Sequence, residues 1–432
     1  MFLLFASVFF YAWGDIRYLP VLFSIVLISY AGAIFIERFR SQKRLAVFVL
    51  LDLSLLLYFK YAGFFLENIG LLFRREWSLK LVLPLGISFY TFQALSYLID
   101  VYRGDVKAQR NFYNLSLYIC FFPQLIAGPI IKYHDIADQI DNRKETIDAF
   151  YSGVRRFIIG LGKKVLIANA LGEIADKIFA LPAAEFDAPV AWLGALSYTF
   201  QIYYDFSGYS DMAIGLGALF GFRIPENFNY PYISKSVSEF WRRWHISLGT
   251  WFKEYLYIPL GGNRDGKLRT YFNLMLVFLV TGFWHGASWI FIFWGLWHGF
   301  FIIFEKMTGW GLKQAGVVKK IFCHIYTVTV FTVGWVLFRS ENFDHALLYV
   351  RNMFGLIKEH TVYLKLPHYL DRYHLIVFIF ALLFSFPVCK NILNDQKPSH
   401  HIIINALLLL VFFLSVFDFA ANSFNPFIYF RF

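Results

Sequence analysis

Two histidines occupy matching settings inside one strongly apolar stretch. The segment "TGFWHGASWIFIFWGLWHGF", residues 281–300, carries His285 and His298, each within Trp-His-Gly. An imidazole in an apolar span costs free energy unless it is neutral or hydrogen-bonded, and burial favours its neutral form. A neutral imidazole is a general base, the group needed to activate a hydroxyl for attack on an acyl carbon. On one continuous helix the two rings would stand roughly 20 Å apart along the axis and point in different directions. They can serve one reacting atom only if the helix breaks at Gly286; otherwise one of them is structural. The spacing offers no i, i+4 ligand pair and no carboxylate lies nearby in sequence, so no metal is expected.

A third histidine, His245, lies in "KSVSEFWRRWHISLGTWFKEYLYIPLGGNR", residues 235–264. Val237, Phe240, Trp241, Trp244, Leu248, Trp251, Phe252 and Tyr255 follow helical spacing and share a face about 120° wide. Glu239, Arg242 and Lys253 fall opposite, and Glu239 and Arg243 are spaced to pair. Tryptophans on one side and cations on the other predict an interfacial helix, bent at Gly249, with His245 at the margin between the faces. The turn "IPLGGNR" follows. Gly261 and Gly262 would let backbone amides approach a ligand, and Arg264 could bind phosphate. Arg242, Arg243, Asn263 and Arg264 are therefore the candidate donor-binding residues, whereas Lys253 reads as a snorkelling side chain.

The elements that must position these groups are membrane helices. Of the 432 residues, 58% are hydrophobic and 16% charged, more apolar surface than a soluble fold of this size can bury. The formal charge of +11 would suggest nucleic acid in a soluble protein. Here the cations lie mostly in short gaps between apolar runs, where headgroup contact accounts for them. Cys120, Cys323 and Cys389 are far apart and form neither a zinc spacing nor a disulfide framework. Candidate spans are 2–13, 18–36, 45–66, 79–101, 112–131, 153–171, 189–221, 271–284, 287–305, 321–338, 374–392 and 402–420. Residues 153–171 carry Arg155, Arg156, Lys163 and Lys164 and are expected to lie partly at the interface. In "FFPQLIAGPI", Pro123, Gly128 and Pro129 break helix geometry. Irregular backbone at membrane depth needs protein or a water-filled cavity around it. The start, "MFLLFASVFFYAWGD", lacks a basic n-region and a small-residue cleavage site and reads as a membrane helix. No internal repeat is visible, and residues 1–432 read as one membrane domain. Basic residues in "RFRSQKR" (38–44) and "FRREWSLK" (73–80) are too evenly matched to orient the chain.

The stretches "DFSGYSDMAIGLGALFGFRIPENFNYPYISKSVSEFWRRWHISLGTWFKEYLYIPLGGNR" (205–264) and "GFWHGASWIFIFWGLWHG" (282–299) resemble the membrane-bound O-acyltransferase family. The likeness is to the branch holding the membrane subunits for alginate and peptidoglycan O-acetylation, and it covers nearly the whole chain. Relatives in that branch usually begin one helix earlier. The resemblance implies an all-α, polytopic protein with roughly 10–12 membrane helices around a central tunnel in a bacterial inner membrane. It implies that His285, in "FWHG", is the catalytic histidine, that His245, in "RRWH", faces it, and that His298 is less central. It also implies acetyl-coenzyme A as the cytoplasmic acyl donor, with no bound cofactor. The acetyl group would leave on the other face to an SGNH-type transferase partner that modifies a polysaccharide. The end of the chain, "NSFNPFIYFRF", resembles an acyl-shuttling tail, with Tyr429 as the relay; an aromatic-belt residue is the simpler reading.

The mechanism this predicts has neutral His285 taking the proton of an acceptor hydroxyl. The hydroxyl attacks the thioester carbonyl, and His245 or Arg242 stabilises the oxyanion. The alternatives are a membrane transporter, which more often shows repeated halves, and a non-catalytic scaffold for a polysaccharide export machine, which needs no histidines.

Overall fold

A backbone in hydrocarbon must satisfy its own hydrogen bonds, and a helix does so within one segment. The computed structural model of the chain describes residues 1–311, 316–357, 365–389 and 398–421, and every regular element among them is helical. Five helical stretches there are long and apolar enough to cross a membrane: Phe2–Arg38, Gln42–Leu72, Trp289–Thr308, Val317–Arg339 and Ile402–Ala421. The last presents Leu407, Leu410, Phe413 and Phe417 outward, as a lipid-facing helix should. The Cα packing resolves two compact units.

The first unit comprises residues 1–153, 213–225 and 250–259. Its centre is Ile87–Arg103, buried along most of its length, with Leu19–Arg38 and Gln42–Leu56 packed against it. The expected span 112–131 does not cross. Phe112–Cys120 is nine residues long, about 14 Å, against roughly 30 Å of hydrocarbon. The chain then turns at Phe122–Leu125 and comes back. The Tyr118 hydroxyl donates to Ile131 O at 2.8 Å, and Gln109 Nε2 donates to the Tyr133 hydroxyl at 3.2 Å. Entry and exit are therefore neighbours, and the Pro/Gly run forms the turn of a re-entrant segment. Residues 250–259 are held in this unit by Trp251, which stacks on Phe92 at 3.9 Å and donates from its indole to Phe92 O at 3.0 Å.

The second unit comprises residues 154–212, 226–249 and 260–432. Here three cations of 153–171, Arg156, Lys163 and Lys164, are paired with acids. Arg156 Nε donates to Asp211 Oδ1 at 2.7 Å. Lys163 reaches Asp211 Oδ2 at 2.6 Å and Lys164 reaches Asp205 Oδ1 at 2.6 Å. The helices approach this closely because Gly160 faces Gly208: a Cβ on Gly160 would lie 2.5 Å from Gly208 O. Buried acids on one helix matched by bases on the next are the arrangement that apolar surroundings tolerate.

The long helix expected over 235–264 is also different. It is two seven-residue helices, Val237–Arg243 and Ile246–Phe252, followed by a π-helical turn at Lys253–Tyr257. The break falls at His245, whose φ of +45° is left-handed, and not at Gly249. The aromatic face is buried in protein instead of resting on lipid: Val237 and Phe240 are fully buried and Trp244 nearly so. Phe240 stacks on Phe331 at 4.9 Å.

Candidate active site

The first helix of the pair is fixed by its N-terminus, where backbone N–H groups lack intrahelical partners. Ser236 Oγ accepts the Glu239 N–H at 2.9 Å and Glu239 Oε2 accepts the Lys235 N–H at 3.0 Å, a reciprocal cap. The buried carboxylate of Glu305 accepts the N–H groups of Val237 and Ser238. That carboxylate, on Trp289–Thr308, ties the His245 segment to the helix carrying His298. Sequence reasoning overlooked it, although a lone acid in an apolar helix is a signal that a partner must exist.

The histidine hairpin does break where it must. Gly266–His285 ends with Gly286 in extended conformation, and Trp289–Thr308 begins after Ser288. His285 packs edge-on against Trp284 at 4.9 Å, Trp294 at 5.1 Å and Phe338 at 5.2 Å. His298 meets the same Trp294 at 5.1 Å and Trp241 at 5.0 Å. The two rings that a continuous helix would separate thus share one tryptophan. His298 is fully buried, and neither ring nitrogen has a hydrogen-bond partner among the described residues.

His245 also reaches Trp284, its ring 6.3 Å from the indole. The distances from Trp284 to each imidazole cap the His245–His285 separation at their sum. His245 is 2% exposed, stands edge-on to Phe206 at 4.7 Å, and burial pushes its pKa down to about 3; it is neutral at physiological pH. Its Nδ1 lies 3.1 Å from Asn227 Oδ1. The left-handed backbone at His245 is supported by the segment that carries Asn227, since Ile246 N–H donates to Asn227 O and Asn229 N–H to Arg243 O, both at 2.9 Å. Strained conformations of this sort persist where surrounding structure over-determines them. Asn227 was missed from sequence; its signal was a polar residue amid "PENFNYPY".

The candidate donor-binding residues separate into two kinds. Arg243 is engaged, with Nε on Glu239 at 3.0 Å and Nη1 on Asn229 O at 3.0 Å. Arg242, Asn263 and Arg264 are exposed. The Gly-Gly turn is braced by Asn273, whose Nδ2 donates to Leu260 O at 3.2 Å and Gly262 O at 2.9 Å. Gly261 and Gly262 have φ of +99° and +60°, which a side chain would resist. Tyr429 lies outside the described residues.

The first unit carries its own cavity of about 480 Å³, lined by Asp100, Arg103, Asp105, His134, Glu254, Ile258 and Pro259. Several of its polar groups are paired. Buried Asp100 accepts the Tyr255 hydroxyl at 2.7 Å and meets His134 Nδ1 at 2.8 Å, while Lys132 pairs with Glu254 at 2.9 Å.

Two buried imidazoles, His245 and His285, lie against one indole within one unit, and an imidazole can accept or donate a proton. Comparison with known proteins supplies the family. Residues 42–343 match the family model described as MBOAT, membrane-bound O-acyltransferase family. The chain is 40% identical to a probable alginate O-acetylase of Azotobacter vinelandii, covering all of this chain and 94% of that protein. It is 36% identical to a peptidoglycan O-acetyltransferase of Helicobacter pylori, again over its full length and 91% of the relative. A teichoic acid D-alanyltransferase of Bacillus subtilis is 30% identical over 47% of this chain and 54% of its own length.

Proposed function

Since the chain belongs to the membrane-bound O-acyltransferase family and is a multi-pass membrane O-acyltransferase, we propose that it takes an acetyl group from acetyl-coenzyme A on the cytoplasmic side and passes it across the membrane for O-acetylation of an extracytoplasmic polysaccharide. The acceptor class is taken from relatives named for alginate and peptidoglycan. In this scheme the acetyl group leaves to an SGNH-type transferase partner, and Tyr429 relays it.

The observation that carries the reading is that His285 and His245 both lie against Trp284. His285 is the proposed general base: it takes the proton of the attacking hydroxyl, and that proton ends on the departing thiolate. The C–S bond of the thioester breaks as the C–O bond of the ester forms, so the transfer balances without another reactant. Arg242, Arg243, Asn263 and Arg264 are the proposed contacts for the donor's phosphates. Arg242, Asn263 and Arg264 keep their polar groups at the surface, whereas Arg243 would have to leave Glu239.

The test uses purified protein in liposomes with acetyl-labelled acetyl-coenzyme A, following thioester cleavage and label on the protein. Loss of turnover in His285→Ala and loss of label in Tyr429→Phe are expected. Full turnover in a folded His285→Ala protein would overturn the base assignment.

A further inference from the structure

The carboxamide of Asn227 is 1% exposed and makes four hydrogen bonds. Its Oδ1 accepts the Ser247 backbone N–H at 3.2 Å and the Ser247 hydroxyl at 2.9 Å. Its Nδ2 donates to Ser210 Oγ at 3.2 Å. A backbone N–H can only donate, so the atom it faces must be the amide oxygen and not the nitrogen. The fourth bond follows. His245 Nδ1 lies 3.1 Å from that same oxygen, and two acceptors cannot share a hydrogen bond, so Nδ1 carries the proton. A neutral imidazole has one N–H. Nε2 is then a bare lone pair, buried, with no hydrogen-bond partner among the described residues.

We propose that Asn227 is a positioning residue that locks His245 in its Nδ1–H tautomer, so that Nε2 takes a hydrogen bond from a proton-bearing group of the bound substrate. This rests on the acyl-transfer reading. It removes one role, because a lone pair cannot stabilise an oxyanion. Two groups of an acyl-transfer pair offer the required chemistry: the hydroxyl of the acyl acceptor, and the amide N–H that coenzyme A carries near its sulfur. With the hydroxyl there, His245 takes over the base role assigned to His285. With the amide there, His245 aligns the donor and His285 stays the base. Among the described residues, no charged side chain is hydrogen-bonded to Asn227 or His245. The acids nearest in sequence, Glu226 and Asp211, are both held by Arg156.

The tautomer is read directly by 15N solid-state NMR of histidine-labelled full-length protein in liposomes, with His245→Gln identifying the signal. A protonated Nδ1 and bare Nε2 are expected in the wild type, and a mixture in Asn227→Ala. Observation of Nε2–H in the wild type would overturn the proposal whatever the enzyme's activity, so its failure is separable from failure of the acyltransferase reading. The kinetic arm uses acetyl-coenzyme A. Asn227→Ala should lose roughly tenfold to a hundredfold in turnover. Asn227→Asp, which keeps an oxygen on Nδ1, should restore most of it, with its acid limb moved to higher pH because the carboxylate favours the imidazolium. A rise in KM for acetyl-coenzyme A in Asn227→Ala identifies the amide; a fall in kcat at unchanged KM identifies the hydroxyl. Equal loss in the Ala and Asp variants, with both still folded, would reduce Asn227 to a packing residue.

Discussion

Gly282 and Gly295 cross at backbone contact. A Cβ on Gly282 would lie 2.2 Å from Phe291 O, and one on Gly295 the same distance from Phe278 O. Small residues let membrane helices approach this closely, and here the approach brings the end of one helix, with His285, against Trp294 of the next. Gly295→Ala should therefore destabilise the protein by about 1–3 kcal/mol through overpacking. It should also cut acyl transfer, because the hairpin must splay. Thermal unfolding in detergent, alongside turnover of acetyl-coenzyme A, checks both. Unchanged values would mean that the hairpin is looser than the contact distances require.

His285→Ala should lower the rate by roughly a hundredfold to ten-thousandfold, the usual contribution of a general base. His298→Ala should act differently. It empties a fully buried site against Trp241 and Trp294, so stability is expected to fall more than the rate per folded molecule. The pair is compared by normalising turnover to the folded fraction from size-exclusion chromatography.

The Glu305 carboxylate caps Val237–Arg243 from a neighbouring helix. Glu305→Ala leaves two buried N–H groups without an acceptor, each worth about 1–3 kcal/mol. Glu305→Gln retains one acceptor oxygen and should be milder. Urea midpoints that ranked Gln below Ala would contradict this account of the cap.

Acid should weaken the fold through His245. Its pKa falls from 6.5 to about 3 by burial, so between those values the unfolded chain binds a proton that the folded chain does not. The stabilising contribution is complete above pH 6.5 and is lost progressively as pH falls toward 3. His245→Gln should flatten the stability–pH slope in that window. A slope unchanged by the substitution would assign acid sensitivity to other groups.

Within the first unit, charge now favours one orientation. The Ala108 N–H donates to Glu37 Oε1 at 2.8 Å, Arg110 pairs with Glu37, and the Tyr30 hydroxyl donates to Arg110 O at 2.8 Å. Arg103, Lys107 and Arg110 thus join Arg38, Arg40, Lys43 and Arg44 on one face, outnumbering Arg74, Arg75 and Lys80 of the loop at the other end of Ala62–Leu72. By the positive-inside rule that face is cytoplasmic. Lys43→Cys and Lys107→Cys should resist an impermeant maleimide in intact cells, and Glu76→Cys should react. The reverse pattern would invert the unit.

The sequence alone determined the solvent, the helical class and the family. Those follow from composition, apolar run length and long contiguous motifs, all of which are local. It also marked His285 and His245, and it named the one condition, a break at Gly286, under which His285 and His298 could meet. It failed where the outcome depended on which surface covers which. Periodicity over 235–255 is the same for a stripe that rests on lipid and one buried against Phe331 and Trp335, so an interfacial helix was expected where two short buried ones formed. Hydropathy over 112–131 cannot tell a crossing from a re-entrant turn, because both need apolar residues. The partners of Lys163 and Lys164 were not legible because Asp205 and Asp211 are some forty or more residues away in sequence and adjacent only after packing. Asn227 illustrates the limit best. Its importance lies in the atoms around it, a backbone N–H and an imidazole brought to one oxygen, and only the tertiary structure decides that meeting.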